Sequence, residues 1–147
     1  MGFSLIMLIV VITVVGVLAA IAIPGWNQLA SVRVAAAARR LIGDMRYVQD
    51  LSIRTQAVHT VTFSSTGYSI QREGQGLIED PSFKGQPFVV DLTSDYPGIT
   101  VSASFKGNQE FSFQKRGNPT SGGSVTLSLG GENVVVRIED ETGRVSY

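Results

Sequence analysis

The first 32 residues of this chain carry no charged side chain, and this uncharged run limits what the chain can fold into. Residues 5 to 23 are almost all apolar, and about 20 such residues are enough to cross a bilayer as a helix. The remainder, rich in Gly, Ser, Thr and Val, has the composition of a soluble β domain. The two ends of the chain therefore need different surroundings, and the sequence predicts an apolar rod joined to a polar head.

A second helical pattern follows the apolar run. Apolar or small residues recur with helical spacing at Val34, Ala38, Leu41, Met45, Val48 and Ser52. This spacing is typical of a helix with one apolar face. The sequence predicts one long helix over residues 3 to 54, roughly 78 Å at 1.5 Å per residue. Gly16, Pro24 and Gly25 are its predicted kink positions, since proline removes a helical hydrogen bond and bends the helix.

After residue 56 the apolar residues alternate with polar ones, which is the period of β-strands. Strands are predicted at 59–63, 68–70, 88–92, 99–105, 111–113, 125–129, 134–138 and 145–147. The Gly130-Gly131 pair predicts a hairpin, and residues 73–87 predict a loop. Antiparallel strands need a cover for their apolar face, and helix residues 34–51 can provide it. The predicted fold class is α+β: a long N-terminal α-helix, apolar in its first half and amphipathic in its second, packed on an antiparallel β-sheet head.

Charge and composition limit the function. Up to Ala57 five arginines stand against two aspartates, whereas from Val58 onward seven Lys and Arg residues stand against ten Asp and Glu residues. A basic stalk and an acidic head suggest end-to-side packing between copies, with scattered surface charge as an equal alternative. The chain has no cysteine, which excludes disulfides, thiol catalysis and Cys-based zinc sites.

No catalytic residue, cofactor or metal site is predicted. The single histidine, His59, lies in an alternating strand without clustered carboxylates nearby, which favours a structural role. The acidic run at 139–141 indicates a solvated hairpin tip rather than a cation site. An enzyme is therefore a poor interpretation. Nucleic-acid binding is an alternative, because folding could gather Arg116, Arg137 and Arg144 on one side to contact phosphates.

The two ends of the chain resemble one protein family. Gly2-Phe3-Ser4-Leu5-Ile6, followed by the apolar run to Pro24, resembles the class III signal of type IV pilins and type II secretion pseudopilins. The sequence FSFQKRGNPTSGG at 111–123, the hairpin after it and Thr142-Gly143-Arg144-Val145 are similar to the minor pseudopilin H and fimbrial-T minor pilin group. The resemblance implies the pilin fold and a non-enzymatic filament subunit without a cofactor.

The resemblance also implies how such a subunit matures. A prepilin peptidase would cut between Gly2 and Phe3 and methylate the new amine of Phe3, so that residues 1–2 are a residual leader. Residues 3–30 would form the transmembrane and assembly helix, 31–56 an amphipathic helix on the head, and 57–147 the head. Since the positive-inside rule places the arginines after the span in the cytoplasm, either the chain inserts with its C-terminus inside or a basic leader preceded Phe3.

The implied location changes with assembly. The subunit would first cross the bacterial inner membrane once, with its head in the periplasm. At the inner-membrane assembly platform it would join itself and other pilins or pseudopilins in a helical filament, which is periplasmic or extracellular. The predicted function is thus a structural subunit of a type IV pilus-like or type II secretion pseudopilus filament. A single-span anchored domain that never assembles is the plainest alternative.

Two positions depart from the family pattern. The family usually has glutamate five residues into the mature chain, paired with a neighbour's N-terminal amine, and Met7 stands there in this chain. Either packing alone sets the filament register, or the subunit sits at a filament tip. The DNA-uptake members of the fimbrial-T group carry Gly-Arg-x-Arg near the C-terminus, and this chain has Gly143-Arg144-Val145-Ser146. A DNA-binding minor pilin of a natural-competence system, using Arg116, Arg137 and Arg144, is the alternative function.

Overall fold

The computed structural model describes residues 5–22 and 26–147 of the chain. Helix α1 covers Leu5–Ala22 and helix α2 covers Trp26–Thr55. The chain stays α-helical through Gly16 in α1. The predicted kink at Pro24 and Gly25 and the predicted cleavage junction at Gly2 and Phe3 lie outside the described residues.

The buried face of α2 is the face that the sequence predicts. The six positions with helical spacing are all between 0% and 1% exposed: Val34, Ala38, Leu41, Met45, Val48 and Ser52. Ala37 and Ile42 widen this buried stripe. Burying a large apolar side chain contributes about 1.5–3 kcal/mol, so this face holds α2 firmly on the head. Asp50 and Arg54 form an i,i+4 ion pair at 2.7 Å on the exposed side.

The head contains nine strands and one short helix, and all of its strand pairs are antiparallel. The elements are β1 (His59–Phe63), β2 (Gly67–Arg72), β3 (Gly76–Leu77), β4 (Val89–Asp91), α3 (Leu92–Asp95), β5 (Thr100–Ser104), β6 (Glu110–Phe113), β7 (Gly123–Leu129), β8 (Glu132–Ile138) and β9 (Val145–Ser146). The predicted α+β class with an antiparallel head is confirmed.

The strands form two sheets, whereas the sequence predicts one antiparallel β-sheet head. The first sheet has the order β3-β2-β1-β6, with β4 also paired to β2, and the second has the order β5-β7-β8-β9. Strand alternation identifies the buried face of each strand but does not identify its partner, so this division is invisible in the sequence. A phenylalanine cluster packs in the core, with the rings of Phe105 and Phe111 stacked at 4.5 Å and those of Phe111 and Phe113 edge to face at 5.0 Å.

The prediction of a strand over residues 88–92 is only partly right. The strand β4 is confined to Val89–Asp91, and Leu92 begins α3. The Asp91 carboxylate accepts a hydrogen bond from the Thr93 N–H at 2.9 Å and thereby caps this turn of helix. A capping aspartate after two valines therefore ends the strand and starts a helix.

Strands β7 and β8 run alongside α2. At one end a Cβ on Gly130, in the β7–β8 turn, would lie 3.4 Å from the Ala30 side chain. At the other end the Gln49 amide donates to the Thr142 carbonyl, in the β8–β9 turn, at 3.0 Å. The hairpin that the sequence predicts around Gly130-Gly131 is confirmed, and both of its strands pack against α2.

Candidate functional site

Helix α1 has an apolar surface on every side. Twelve of its large apolar side chains are between 51% and 72% exposed: Leu5, Ile6, Met7, Leu8, Ile9, Val10, Val11, Ile12, Val14, Val15, Val17 and Leu18. A helix that is apolar all round is normally buried in protein or lipid. This surface, from Leu5 to Leu18, is called the α1 surface below, and the head provides no cover for it.

The polar group on the α1 surface is already satisfied. The Thr13 hydroxyl lies 2.9 Å from the Val10 carbonyl and 3.0 Å from the Ile9 carbonyl, so it donates within its own helix. It can therefore enter an apolar environment without an unmade hydrogen bond. Met7, at the predicted register position, is 58% exposed on this surface. Among the residues that the structure describes, no helix combines the length and apolar character needed to cross a membrane.

A basic groove lies between α2 and the last strand. It has a volume of about 490 Å³ and is lined by Arg39, Ile42, Gly43 and Arg46 of α2 and by residues 144–147. Three arginines therefore line one groove: Arg39, Arg46 and Arg144. The Arg46 Nη2 donates to the Val145 carbonyl at 3.3 Å, which holds the edge of β9 against the helix.

Gln49 joins two turns from distant parts of the chain. Its Nε2 group donates to the Gly117 carbonyl at 2.8 Å and to the Thr142 carbonyl at 3.0 Å. The turn after β6 carries Arg116, and the turn between β8 and β9 precedes Arg144. Both turns therefore lie beside the same end of α2. Sequence analysis did not identify Gln49, and its helical position carries no signal for this role.

The three arginines predicted as DNA contacts are placed differently from one another. Arg116 is exposed in the turn after β6, Arg137 is exposed on β8, and Arg144 lines the basic groove. In the β8–β9 pairing Arg137 lies opposite Ser146, and Glu139 donates its backbone N–H to the Arg144 carbonyl at 3.0 Å. Glu139 is thus paired with Arg144 through the backbone, and no ion pair within 4.0 Å joins their side chains in the part of the chain that the structure describes. The two arginines that sequence reasoning missed in the groove are Arg39 and Arg46, which lie about 100 residues before Arg144.

A second polar cluster lies on the other side of α2. Arg40 forms an ion pair with Asp95 of α3, and the Tyr68 hydroxyl donates to the Asp44 carboxylate. Burial raises the pKa of Asp44 above its usual value, and burial likewise raises the pKa of Tyr68. These contacts join α2 to β2 and α3 and have the character of structural links.

His59 is part of the core. The Ser52 hydroxyl lies 2.9 Å from the Val48 carbonyl oxygen and 2.9 Å from the His59 Nδ1. Which of Ser52 and His59 is the donor depends on the tautomer of the ring. Burial lowers the pKa of His59, which keeps the ring neutral. This arrangement agrees with the structural role that the sequence favours.

The acidic run forms an exposed turn. Glu139 accepts a hydrogen bond from the Thr142 hydroxyl at 3.1 Å, and Asp140 accepts one from the Gly122 N–H at 3.1 Å. Glu141 has a positive φ of 69° and an exposed side chain. Within residues 5–22 and 26–147, no group of three or more His, Asp or Glu side chains is arranged to hold a metal ion.

The fold is similar to those of two solved proteins. The minor pseudopilin EpsH from the type 2 secretion system of Vibrio cholerae is 10% identical, with a TM-score of 0.61 over 78% of this chain and 94% of that chain. The type IV minor pilin FimU of Pseudomonas aeruginosa is 17% identical, with a TM-score of 0.55 over 77% of this chain and 86% of that chain. At these identities the likeness shows the fold. Comparison with curated protein sequences gives no match.

A family model covers most of the head and part of α2. Residues 37–141 match the family described as type II transport protein GspH, which is more than half of the chain. The match and the pilin-like fold agree with the resemblance of the two chain ends. The chain belongs to the type II transport protein GspH family and has the fold of the minor pseudopilin and minor pilin to which it is similar.

Proposed function

We propose that the chain assembles into a type IV pilus-like or type II secretion pseudopilus filament through its apolar N-terminal segment, residues 3–30. The observation that carries this proposal is the α1 surface, which exposes twelve large apolar side chains while the head has a complete core of its own. These side chains are little more than half exposed, so burial of their exposed part would contribute on the order of 10–20 kcal/mol. Such a surface needs either lipid or the helices of neighbouring subunits around it.

The proposal includes the order of events before assembly. The segment 3–30 first lies in the bacterial inner membrane with the head in the periplasm, and a prepilin peptidase cuts between Gly2 and Phe3. The inner-membrane assembly platform then transfers the helix into a bundle with itself and other pilins. Lipid and neighbouring helices satisfy the same apolar atoms in turn, so the helix never has to enter water.

Met7 bears on how the helices align. A carboxylate at this position would cost about 2.5–3.5 kcal/mol at membrane depth, and a methionine avoids that cost. Without that charge, the shape of the α1 surface sets the register between neighbouring helices. This makes packing, rather than an ion pair, the proposed source of alignment.

Electron microscopy of the purified full chain tests the proposal, and filaments are the expected result. Deletion of residues 3–24 should give a soluble, folded monomer without filaments, since the core of α2 and the head lies after the deleted part. Filaments formed by the truncated chain would show that the head, and not the α1 surface, drives assembly. A full chain that is folded and remains single particles would support the anchored domain instead.

The DNA-binding alternative receives less support from the geometry. The three arginines lie on different elements, in the turn after β6, on β8 and at the groove. The acidic run 139–141 stands between Arg137 and Arg144 in the sequence, and its negative charge weakens the attraction of phosphate. A salt-titrated gel shift with a short DNA duplex tests this alternative, because phosphate binding weakens steeply as salt rises. Retardation that disappears with salt, and that Arg144→Gln reduces, would favour it.

A further inference from the structure

We infer that the basic groove lined by Arg39, Arg46 and Arg144 receives the acidic turn, residues 139–141, of a second copy of this chain. The contact would join the heads of neighbouring subunits, and it rests on the proposed filament function. It adds a contact between neighbouring globular heads to the assembly that the α1 surface provides.

The groove arginines have unused hydrogen-bonding capacity. Among the described residues, the ion pairs within 4.0 Å involve Arg40 and Arg54 and not the three groove arginines. Of the three guanidinium groups, that of Arg46 makes a single hydrogen bond, to the Val145 carbonyl, and the other two make none to the described residues. Each guanidinium has five N–H donors in a fork that fits a carboxylate with two parallel bonds. The groove is therefore suited to carboxylates.

The acidic turn has the complementary charge. Its three acidic residues, Glu139, Asp140 and Glu141, are consecutive and all exposed, and the Glu141 carboxylate makes no hydrogen bond to another described residue. Three adjacent carboxylates thus match three guanidinium groups. The same asymmetry extends over the whole chain, since the basic surplus lies before Val58 and the acidic surplus after it.

The spacing of the two features along α2 favours a contact between copies. Gln49 binds the Thr142 carbonyl, next to the acidic turn, whereas the α2 residues that line the groove run from Arg39 to Arg46, with Ile42 and Gly43 in the middle. Six or seven helical residues separate these levels, which is about 10 Å at 1.5 Å per residue. Two parallel copies displaced by about 10 Å along α2 therefore bring the turn of one level with the groove of the other. Such a contact joins two different surfaces of neighbouring copies, so it can repeat along the assembly without closing, as a filament requires.

Cysteine cross-linking tests the contact, because the chain has no cysteine of its own. A tagged chain with Arg39→Cys is mixed with a chain carrying Glu141→Cys, and the assembled filaments are oxidised. Mass spectrometry should find the disulfide between positions 39 and 141. The matched control pairs Glu141→Cys with Ser94→Cys, an exposed residue of α3, and should give at least several-fold less cross-link. Filaments in which the two pairs cross-link equally would overturn the inference.

Charge exchange gives a second test with the same proteins. Chains with Arg39→Glu and Arg46→Glu, or with Glu139→Arg and Glu141→Arg, should each form several-fold fewer filaments, and mixing the two should restore them. Restoration would show complementarity that loss of folding cannot produce. No rescue, together with groove-dependent retardation of a DNA duplex, would assign the groove to nucleic acid instead. If filaments form without a cross-link between positions 39 and 141, only this inference is overturned. If the unaltered chain forms no filaments, the proposed function is overturned as well.

Discussion

Replacing Gln49 by alanine would test how the end of the head is held against α2. The Gln49 amide donates to the Gly117 carbonyl at 2.8 Å and to the Thr142 carbonyl at 3.0 Å. Gly117 is buried, so its carbonyl has little access to replacement water. Each bond contributes about 0.5–1.5 kcal/mol. We therefore expect Gln49→Ala to lower the free energy of unfolding by about 1–3 kcal/mol.

Urea unfolding of the full chain in mild detergent, followed by circular dichroism, measures this change. With a slope of about 2 kcal/mol per molar urea, the midpoint should fall by roughly 0.5–1.5 M. Gln49→Glu should lower it further, because a carboxylate oxygen then faces two carbonyl oxygens. The control is Asp50→Ala, which removes an exposed ion pair with Arg54 and should change stability by less than about 0.5 kcal/mol. Equal midpoints for Gln49→Ala and Asp50→Ala would refute the reasoning.

Four further predictions follow from burial and charge. Gly123→Ala should destabilise the head by more than about 3 kcal/mol, because the new Cβ would lie 2.3 Å from the Ser104 carbonyl oxygen. Gly43→Ala should stabilise the protein by about 0.5–1 kcal/mol, because the new Cβ on α2 meets nothing within 4 Å. A Gly123→Ala variant that unfolds at a higher temperature than Gly43→Ala would contradict both predictions. Burial lowers the pKa of His59, so as pH falls below about 6.5 the unfolded state takes up the proton first and the stability of the fold declines. His59→Gln should flatten this pH dependence in unfolding measurements between about pH 5 and pH 8. An unchanged slope would exclude His59 as its cause. Val14→Asp on the α1 surface should prevent filaments in electron micrographs, since a charge there costs about 2.5–3.5 kcal/mol. The circular dichroism of the head should stay unchanged. A normal yield of filaments would count against the α1 surface as the assembly surface.

Much of the secondary structure is readable from local sequence. The helical spacing from Val34 to Ser52 predicts the buried face of α2, and all six positions are buried. The Gly130-Gly131 pair predicts the β7–β8 hairpin, because two glycines supply the positive φ angles of a tight turn. These signals succeed because each depends on a few neighbouring residues. The strand at 88–92 is shorter than predicted, since the cap at Asp91 competes with strand continuation.

The sequence alone established that this chain has an apolar rod, an amphipathic helix and a β-rich head. It also indicated the pilin family through short motifs at the two ends, because composition, periodicity and motifs are properties of neighbouring residues. Only the tertiary structure divided the strands into two sheets, since alternation does not select strand partners. It likewise brought Arg39 and Arg46 to Arg144, and Gln49 to two distant turns. Packing of α2 on the head creates these contacts between residues far apart in the chain, and no local pattern records them.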